Sequence, residues 1–457
     1  MRIVISGGEE LGFLLAEQYS SEHDVHVIET DQERIAELNK LDLQVVKGNP
    51  TSLSTLQNAQ VGEADVFIAC AHSDEVNVIS CLAVKQMSKA RTFCFVNKIH
   101  YFETFAGDLG EQLVIDMLIW PEKLLGEYIS QIISVPNAID VKMFENEHLK
   151  LLEYRFKAGD PHIGQTLKDI NLPKSTLAVA VFRDDRVIIP GGATEFCEND
   201  KIIFMGMTDS IRKLEDRFNT LKKTHSNVII IGGGNVGYIL AAALGQHSHI
   251  KIRLIEKSHE RCMFLAESLP ESVLLMNADG TEVAMLKSQQ AQNCDCLVAL
   301  TGSDERNLMV ALRARQLGVK RVITRAHSIE NIDFFESLGI DVALSSQMNA
   351  IQTVHHAISE DGIDIFAFFE RGKAEIREFS VPADFPPTQL MQLRLPEGVI
   401  IAAIRRGGRT MVPHGQDKVK GKDKLRVFCA NDQVEVFNKY LEKITEDHLE
   451  KSDEADS

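Results

Sequence analysis

Residues 228–244 read VIIIGGGNVGYILAAAL: an apolar, β-branched run, then glycines at 232, 234 and 237, then a run of helix formers. A Gly-x-Gly-x-x-Gly frame means little by itself, because glycines also mark ordinary turns. Set between a strand and a helix it acquires a mechanism. Gly232 permits the tight turn, Gly234 lets the backbone approach a pyrophosphate, and Gly237 lets the helix pack on the strand. The unpaired N–H groups at the start of that helix, around Gly233, Asn235 and Val236, carry partial positive charge for phosphates. Glu256 ends the next predicted strand, 24 residues after Gly232, where a carboxylate accepts bonds from both ribose hydroxyls and disfavours a 2′-phosphate. That favours NAD over NADP, although Lys257 beside it weakens the preference.

The same pattern occurs earlier in damaged form. Residues 4–17 read VISGGEELGFLLAE, with Gly7 and Gly12 in place, Glu29 at the ribose position, and Glu9 where the middle glycine belongs. A carboxylate there fills the space of a pyrophosphate and repels its charge. Gly8 offers a one-residue shift of the turn as partial compensation. The expectation is a first site that binds dinucleotide weakly or not at all, with a less crowded ligand such as AMP or adenosine still admissible.

The loops open 225 residues apart, and the echo continues. FIACAHSDEVN (67–77) answers to LVALTGSDERN (297–307), and GNPT (48–51) to ADGT (278–281). The second copy presents Asp279, Thr301, Ser303 and Asp304 at the carboxyl end of its sheet; the first has Asn49 and Ala71 in place of Asp279 and Thr301. Ser303 and Asp304 also fit a plain loop-capping role. A duplicated unit of about 225 residues follows from that register.

Within each unit short apolar runs alternate with helical periods, which predicts a parallel sheet wound by helices. The expected strands are RIVIS, DVHVIE, LQVVKG, DVFIAC and TFCFVN in the first unit, and NVIIIG, KIRLIE, VLLMN, CLVALT and RVITR in the second. An amphipathic helix follows from Pro121 or Gln347, a hinge or dimer-packing element. Each unit closes with a small strand-rich segment, the first containing two hairpin-like strands around Pro190-Gly191-Gly192. The expected fold is α/β: two doubly wound Rossmann-like domains at 1–120 and 226–345, small α+β domains at 140–222 and 363–445, and an acidic tail at 446–457.

Composition narrows the function. Hydrophobic residues at 44% and charged residues at 25% match a soluble globular chain, and no apolar run of about 18 residues is present to span a bilayer. The formal net charge of −17 disfavours non-specific contact with nucleic acid or anionic lipid. Cys70 and Cys94 sit in apolar runs and read as buried thiols of a reducing compartment. Cys294-x-Cys296 lacks a second pair at zinc spacing, and the adjacent His355 and His356 point about 100° apart on a helix. His162 and His414 read as isolated surface residues, leaving no acid or base for hydride transfer.

These features resemble the TrkA family, the peripheral regulatory subunits of bacterial Trk potassium uptake systems built from tandem RCK modules (regulators of K⁺ conductance). The glycine loops, the Ser-Asp-Glu-x-Asn loops and the IDMLIWPEKL stretch (115–124) carry the resemblance over nearly the whole chain. It implies an NAD(H) site at Gly232, Gly233, Gly234, Asn235, Val236, Gly237, Glu256, Asp279 and Thr301. In the first unit it matches Gly7, Gly12 and Glu29 and breaks at Glu9, Asn49 and Ala71. ATP, ADP or AMP are further candidates. It also implies no catalysis, a homotetrameric ring, a TrkH-like membrane subunit that moves potassium, and a cytoplasmic place at the inner face of the membrane through that partner. The alternatives are an NAD-dependent oxidoreductase and an RCK regulator of another transporter.

Overall fold

The computed structural model describes residues 1–105, 115–134, 138–144, 148–184, 186–218, 226–359, 365–369, 374–430, 433, 436–437, 439–441 and 443–444. The acidic tail and the His356 side chain lie outside them. The chain divides into two compact units, Met1–Glu127 with His225–Ile358, and Tyr128–Thr224 with Ser359–Ser457.

The first unit holds two parallel sheets. One is built from β1 (Arg2–Ser6), β2 (Asp24–Glu29), β3 (Gln44–Lys47), β4 (Val66–Ala69), β5 (Arg91–Phe95) and β6 (Met117–Ile119), in the order β3-β2-β1-β4-β5-β6. Its helices include α1 (Glu10–Ser20), α2 (Gln32–Leu38), α3 (Leu53–Asn58), α4 (Asp74–Met87) and α5 (Ile99–Phe105). After it comes α6 (Pro121–Ser134). Strand order reverses between β1 and β4, and the crevice at that switch point is where such sheets take ligands.

The second sheet repeats the design after an intervening segment. That segment comprises β7 (Ala138–Phe144), β8 (Leu149–Arg155), α7 (Leu167–Ile170), β9 (Thr176–Arg183), β10 (Arg186–Ile188), β11 (Lys201–Met207) and α8 (Thr208–Phe218). Then follow β12 (Ser226–Ile231), α9 (Asn235–Gly245), β13 (Ile250–Glu256), α10 (His259–Ser268), β14 (Val273–Asn277), α11 (Val283–Ser288), β15 (Cys296–Ala299), α12 (Asp304–Gln316), β16 (Val322–Arg325), α13 (Glu330–Ser337), β17 (Val342–Leu344) and α14 (Ser346–Ser359). The order is β14-β13-β12-β15-β16-β17.

Each sheet has six strands, where the sequence led us to expect five. The sixth strands, β6 and β17, are three residues long, too short to show an alternation. Strand interiors are apolar because helices cover both faces: Ile229, Ile231, Leu297 and Ala299 are fully or almost fully buried with Val310, Ala314 and Phe335. Cys294 and Cys296 are buried in this domain.

The two domains of this unit exchange helices. Gly126 of α6 lies so close to α9 that an added Cβ would stand 2.8 Å from Ile239 Cγ2 and 3.2 Å from the Val236 carbonyl. Reciprocally, the Tyr19 hydroxyl of α1 meets His355 Nδ1 of α14 at 3.0 Å, with the rings stacked. The helix after each sheet is therefore a packing element between the halves.

In the second unit β7–β11 form an antiparallel sheet, order β10-β9-β11-β8-β7. Its counterpart comprises β18 (Ile365–Phe369), β19 (Ala374–Ser380), β21 (Val399–Arg406), β22 (Arg409–Met411) and β24 (Lys424–Ala430), with β20 (Thr388–Gln389) and β23 (Lys418–Val419) as a separate pair. The sheets share a core of Leu151, Val179 and Ile203 with Ile376, Ala402 and Phe428. The hairpin turn differs from expectation: β10 pairs with β9, not β11, so the tight turn runs through Asp184, at φ +46°. Pro190-Gly191-Gly192 instead forms a loop against α7, where Lys168 N donates to Gly192 O at 3.0 Å. The equivalent turn in the other sheet is Gly407-Gly408, both with positive φ, as a tight right-twisting hairpin requires. His162 is no isolated surface residue: Nδ1 lies 2.8 Å from Asp160 Oδ1 and the ring stands edge-on to Phe218.

Candidate functional site

At the carboxyl end of β12 and β15 opens a cavity of about 540 Å³, within the usual range for small-molecule sites. Gly232, Gly234, Asn235, Val236, Glu256, Asp279 and Thr301 line it, as the sequence reading requires. Gly233 and Gly237 stand behind the wall. The Gly233 N–H donates to Glu256 Oε2 at 2.6 Å, and Ser258 N donates to Oε1 at 2.7 Å, which fixes the carboxylate at the cavity edge.

The four loop glycines do different work. Gly232 has φ +107°, and a Cβ there would stand 2.4 Å from the Leu300 carbonyl oxygen. At Gly237 a Cβ would stand 2.0 Å from Gly232 O, so helix and strand meet only without a side chain. Gly233 has Leu265 Cδ1 at 2.5 Å from its would-be Cβ. Gly234 is different: its φ of −59° suits any residue, and a Cβ there meets nothing within 4 Å. Neither backbone nor packing calls for glycine at 234. It leaves room on the cavity side, in front of the first turn of α9.

The first loop is a controlled comparison. Gly7 has φ +101° with the Ala71 backbone 2.7 Å from a Cβ, and Gly12 would meet Gly7 O at 1.9 Å. The Gly8 N–H donates to Glu29 Oε2 at 2.5 Å, matching Gly233 and Glu256. Glu9 begins α1 at φ −66°, ψ −178°, close to Gly234 at −59°, −167°. The turn has therefore not shifted by a residue. Every glycine the fold needs is kept, and the one at the position that faces open space has become a glutamate.

Five lining residues with charged or titratable side chains were missed by the sequence reading: Glu122, Arg261, Arg306, Arg325 and His327. Arg261 Nε donates to Gly233 O at 2.7 Å with its guanidinium 4.5 Å above the Phe264 ring; burial lowers its pKa from the ordinary value. Arg306 and Arg325 had a legible signal in the repeat itself. Their counterparts are Val76 and Phe95, identified by matching bonds: Ser73 and Ser303 cap the N–H of Val76 and Arg306, and Asn77 and Asn307 donate to the carbonyls of Phe95 and Arg325. Two cations at the second site thus replace apolar residues at the first. Glu122 belongs to the other half of the chain, and nothing in the sequence announces it.

The remaining polar positions divide into lining and support. Asp279 Oδ1 accepts from Thr281 N and Oγ1, and Asn49 makes the same turn with Thr51. The carboxylate adds a 2.8 Å ion pair with Lys257, which with the Thr281 bonds holds Asp279 well below the usual carboxylate range. Thr301 Oγ1 donates to Asn307 Oδ1 at 2.8 Å. Ser303 caps α12 and Asp304 accepts from His327 N (2.7 Å) and Asn331 Nδ2 (2.7 Å), so both are loop supports. Burial pushes the Asp304 carboxyl up, but its bonds to His327, Asn331 and Ser328 outweigh that and leave it below the ordinary value.

This donor set fits a nucleotide: a glycine cradle with room at one Cβ, a helix N-terminus, three arginines in the lining and a carboxylate at the end of the second strand. Among the described residues no His, Cys, Asp and Glu group has the arrangement of a metal site, and no helix is long and apolar enough to cross a membrane.

Comparison with known proteins places these features. The TrkA-N domain family matches residues 3–119 and 228–346, and the TrkA-C domain family matches 151–219 and 376–442. The chain is 31% identical over 450 residues to the Trk system potassium uptake protein TrkA homolog 1 of Methanosarcina mazei, covering 96% of this chain and all of that one. It is 30% identical to the Trk system potassium uptake protein TrkA of Halomonas elongata, covering 94% and 96%. Among solved structures, the GsuK RCK domain superposes with a TM-score of 0.62 at 19% identity over 97% of this chain and 95% of that one. The GsuK channel bound to NAD gives the same score and identity over 97% and 79%. With both halves matched by the family's two domain types, this chain belongs to the TrkA family of Trk potassium uptake systems, a family of regulatory RCK proteins and not of enzymes.

Proposed function

We propose that this chain senses nucleotides for a membrane potassium-translocating subunit, TrkH-like, and that the cavity of the second half is its NAD(H) site. One observation carries the reading: Gly234 is glycine for no reason internal to the protein, and it lines the cavity at the N-cap of α9, together with Arg261, Arg306 and Arg325. Gly232 and Gly237 hold the loop, Asn235 and Val236 offer backbone N–H groups to phosphate, Gly233 spends its N–H on holding Glu256 in place rather than on phosphate, and Glu256 receives the ribose hydroxyls. Asp279 and Thr301 border the rest of the ligand. ATP and ADP share the adenosine and phosphate chemistry and are the competing ligands; GsuK, a neighbour in fold, is a channel solved with NAD.

In the first half Gly7, Gly12 and Glu29 retain the loop while Glu9, Asn49 and Ala71 remove the recognition. That site binds dinucleotide weakly or not at all. Four chains would close a ring of eight modules at the inner face of the membrane, held there by the partner. A ligand biases such a ring only through its difference in affinity for the two states, so no chemical step is involved.

The test is isothermal titration of the full chain with NADH and ATP, beside Gly234→Glu. Wild type is expected to bind and the variant to lose at least tenfold in affinity while keeping its melting temperature. Unchanged binding by a folded variant overturns the assignment of the site.

A further inference from the structure

Glu122 is the first carboxylate of α6, a helix belonging to the first half of the chain, yet it lines the cavity of the second. Its Oε1 lies 3.1 Å from Arg325 Nη1 and its Oε2 accepts from Asn235 Nδ2 at 2.7 Å. Both partners belong to the site: Asn235 is the first residue of α9, and Arg325 ends β16. Neither side chain of the ion pair is more than a quarter exposed, so the contact is shielded and an anion arriving at Arg325 competes with it directly.

We propose that Glu122 is a built-in competitor for the far end of the nucleotide, one that a terminal phosphate displaces and a nicotinamide leaves in place. The proposal rests on the nucleotide reading of the cavity. Glu256 and Arg325 end β13 and β16, with β12 and β15 between them, so the two residues are about 14 Å apart at the usual strand spacing. A nucleotide anchored by its ribose at Glu256 and its first phosphates at Gly234 directs its remaining atoms toward β15 and β16. In a nucleoside triphosphate those atoms are an anion, which takes the Arg325 guanidinium from Glu122. In NAD they are a ribose and an uncharged or cationic ring, which gives Glu122 no reason to leave.

The repeat again supplies a control. At the pseudo-equivalent place in the first half, Gln347 of α14 stands where Glu122 stands in α6, and Phe95 where Arg325 stands. The pair exists only beside the intact loop. One turn beyond Glu122, Gly126 packs directly on α9, so release of the carboxylate loosens the helix at the point where it touches the nucleotide-binding helix. Triphosphate and dinucleotide are thereby read as different states of α6, though they share one cavity.

The experiment is titration of the full-length protein with ATP, ADP and NADH for wild type, Glu122→Gln, Arg325→Gln and the double variant. Glu122→Gln is expected to tighten ATP at least fivefold and to change ADP and NADH less than twofold. In the Arg325→Gln background the same substitution is expected to have no effect on ATP. Hydrogen exchange supplies a readout independent of affinity: amides of residues 121–127 exchange faster with ATP than with NADH in wild type, and equally in Glu122→Gln. If wild type binds none of the three, the nucleotide reading falls first. If all three bind and Glu122→Gln shifts them equally, shifts none, or acts in the Arg325→Gln background, the competitor is disproved while the site stands.

Discussion

At the scale of single residues, position 9 and position 234 carry the argument. Their backbones are alike, so the difference lies in the side chain. Glu9→Gly removes the carboxylate but leaves Ala71, Val76 and Phe95 where the second site has Thr301, Arg306 and Arg325. The variant is expected to gain at most weak nucleotide binding; titration showing a second site equal to the first would contradict this account of its loss. A second residue-scale prediction concerns acid. Asp304 has a folded pKa below its unfolded value, so the unfolded chain takes up a proton first. Its contribution is complete above about pH 4 and is lost as pH falls through the folded pKa. Melting temperatures measured from pH 6 to pH 3 are expected to fall less steeply for Asp304→Asn than for wild type. Much of the loop was legible at this scale, because glycine spacing is a direct reading of backbone geometry. What escaped was the purpose of Ser303 and Asp304, since a cap and a ligand contact use the same side chains.

At the scale of elements, α6 and α14 show where sequence reading stops. Their amphipathic periods were plain, but periodicity says that a face is buried and not what buries it. Gly126 marks the answer: glycine in a helix interior is unfavourable by about 1 kcal/mol against alanine, and here it admits α9. Gly126→Val places branched carbons against Ile239 and the Val236 carbonyl. Overpacking of this kind costs roughly 1 to 3 kcal/mol, measurable by urea denaturation. Weaker nucleotide binding is expected with it, because the proposed site takes its phosphates at the start of α9. The short strands β6 and β17 were invisible for a related reason. Three residues specify no period, and these strands are fixed by pairing with β5 and β16.

At the scale of the whole molecule, the sequence revealed the duplication but not how the copies use each other. One titration answers whether the halves are equivalent: we expect about one NADH per chain. Two equal sites would show that Glu9 is tolerated. The fold class and the positions of the principal strands along the chain followed from motif and register, because those are local in the chain. Glu122 did not, since it reaches the second site by tertiary packing from 110 residues upstream of Gly232.

The reciprocal packing of α6 on α9 and α14 on α1 has one more consequence. In an assembly of two identical protomers, any mutation is suffered twice, and a loop that improves one role is forced on both. Fusing the pair in a single chain lifts that constraint, so one half is free to specialise as receptor while its twin becomes scaffold. An observer can likewise alter one half and keep the other as its untouched reference, within every molecule in the tube.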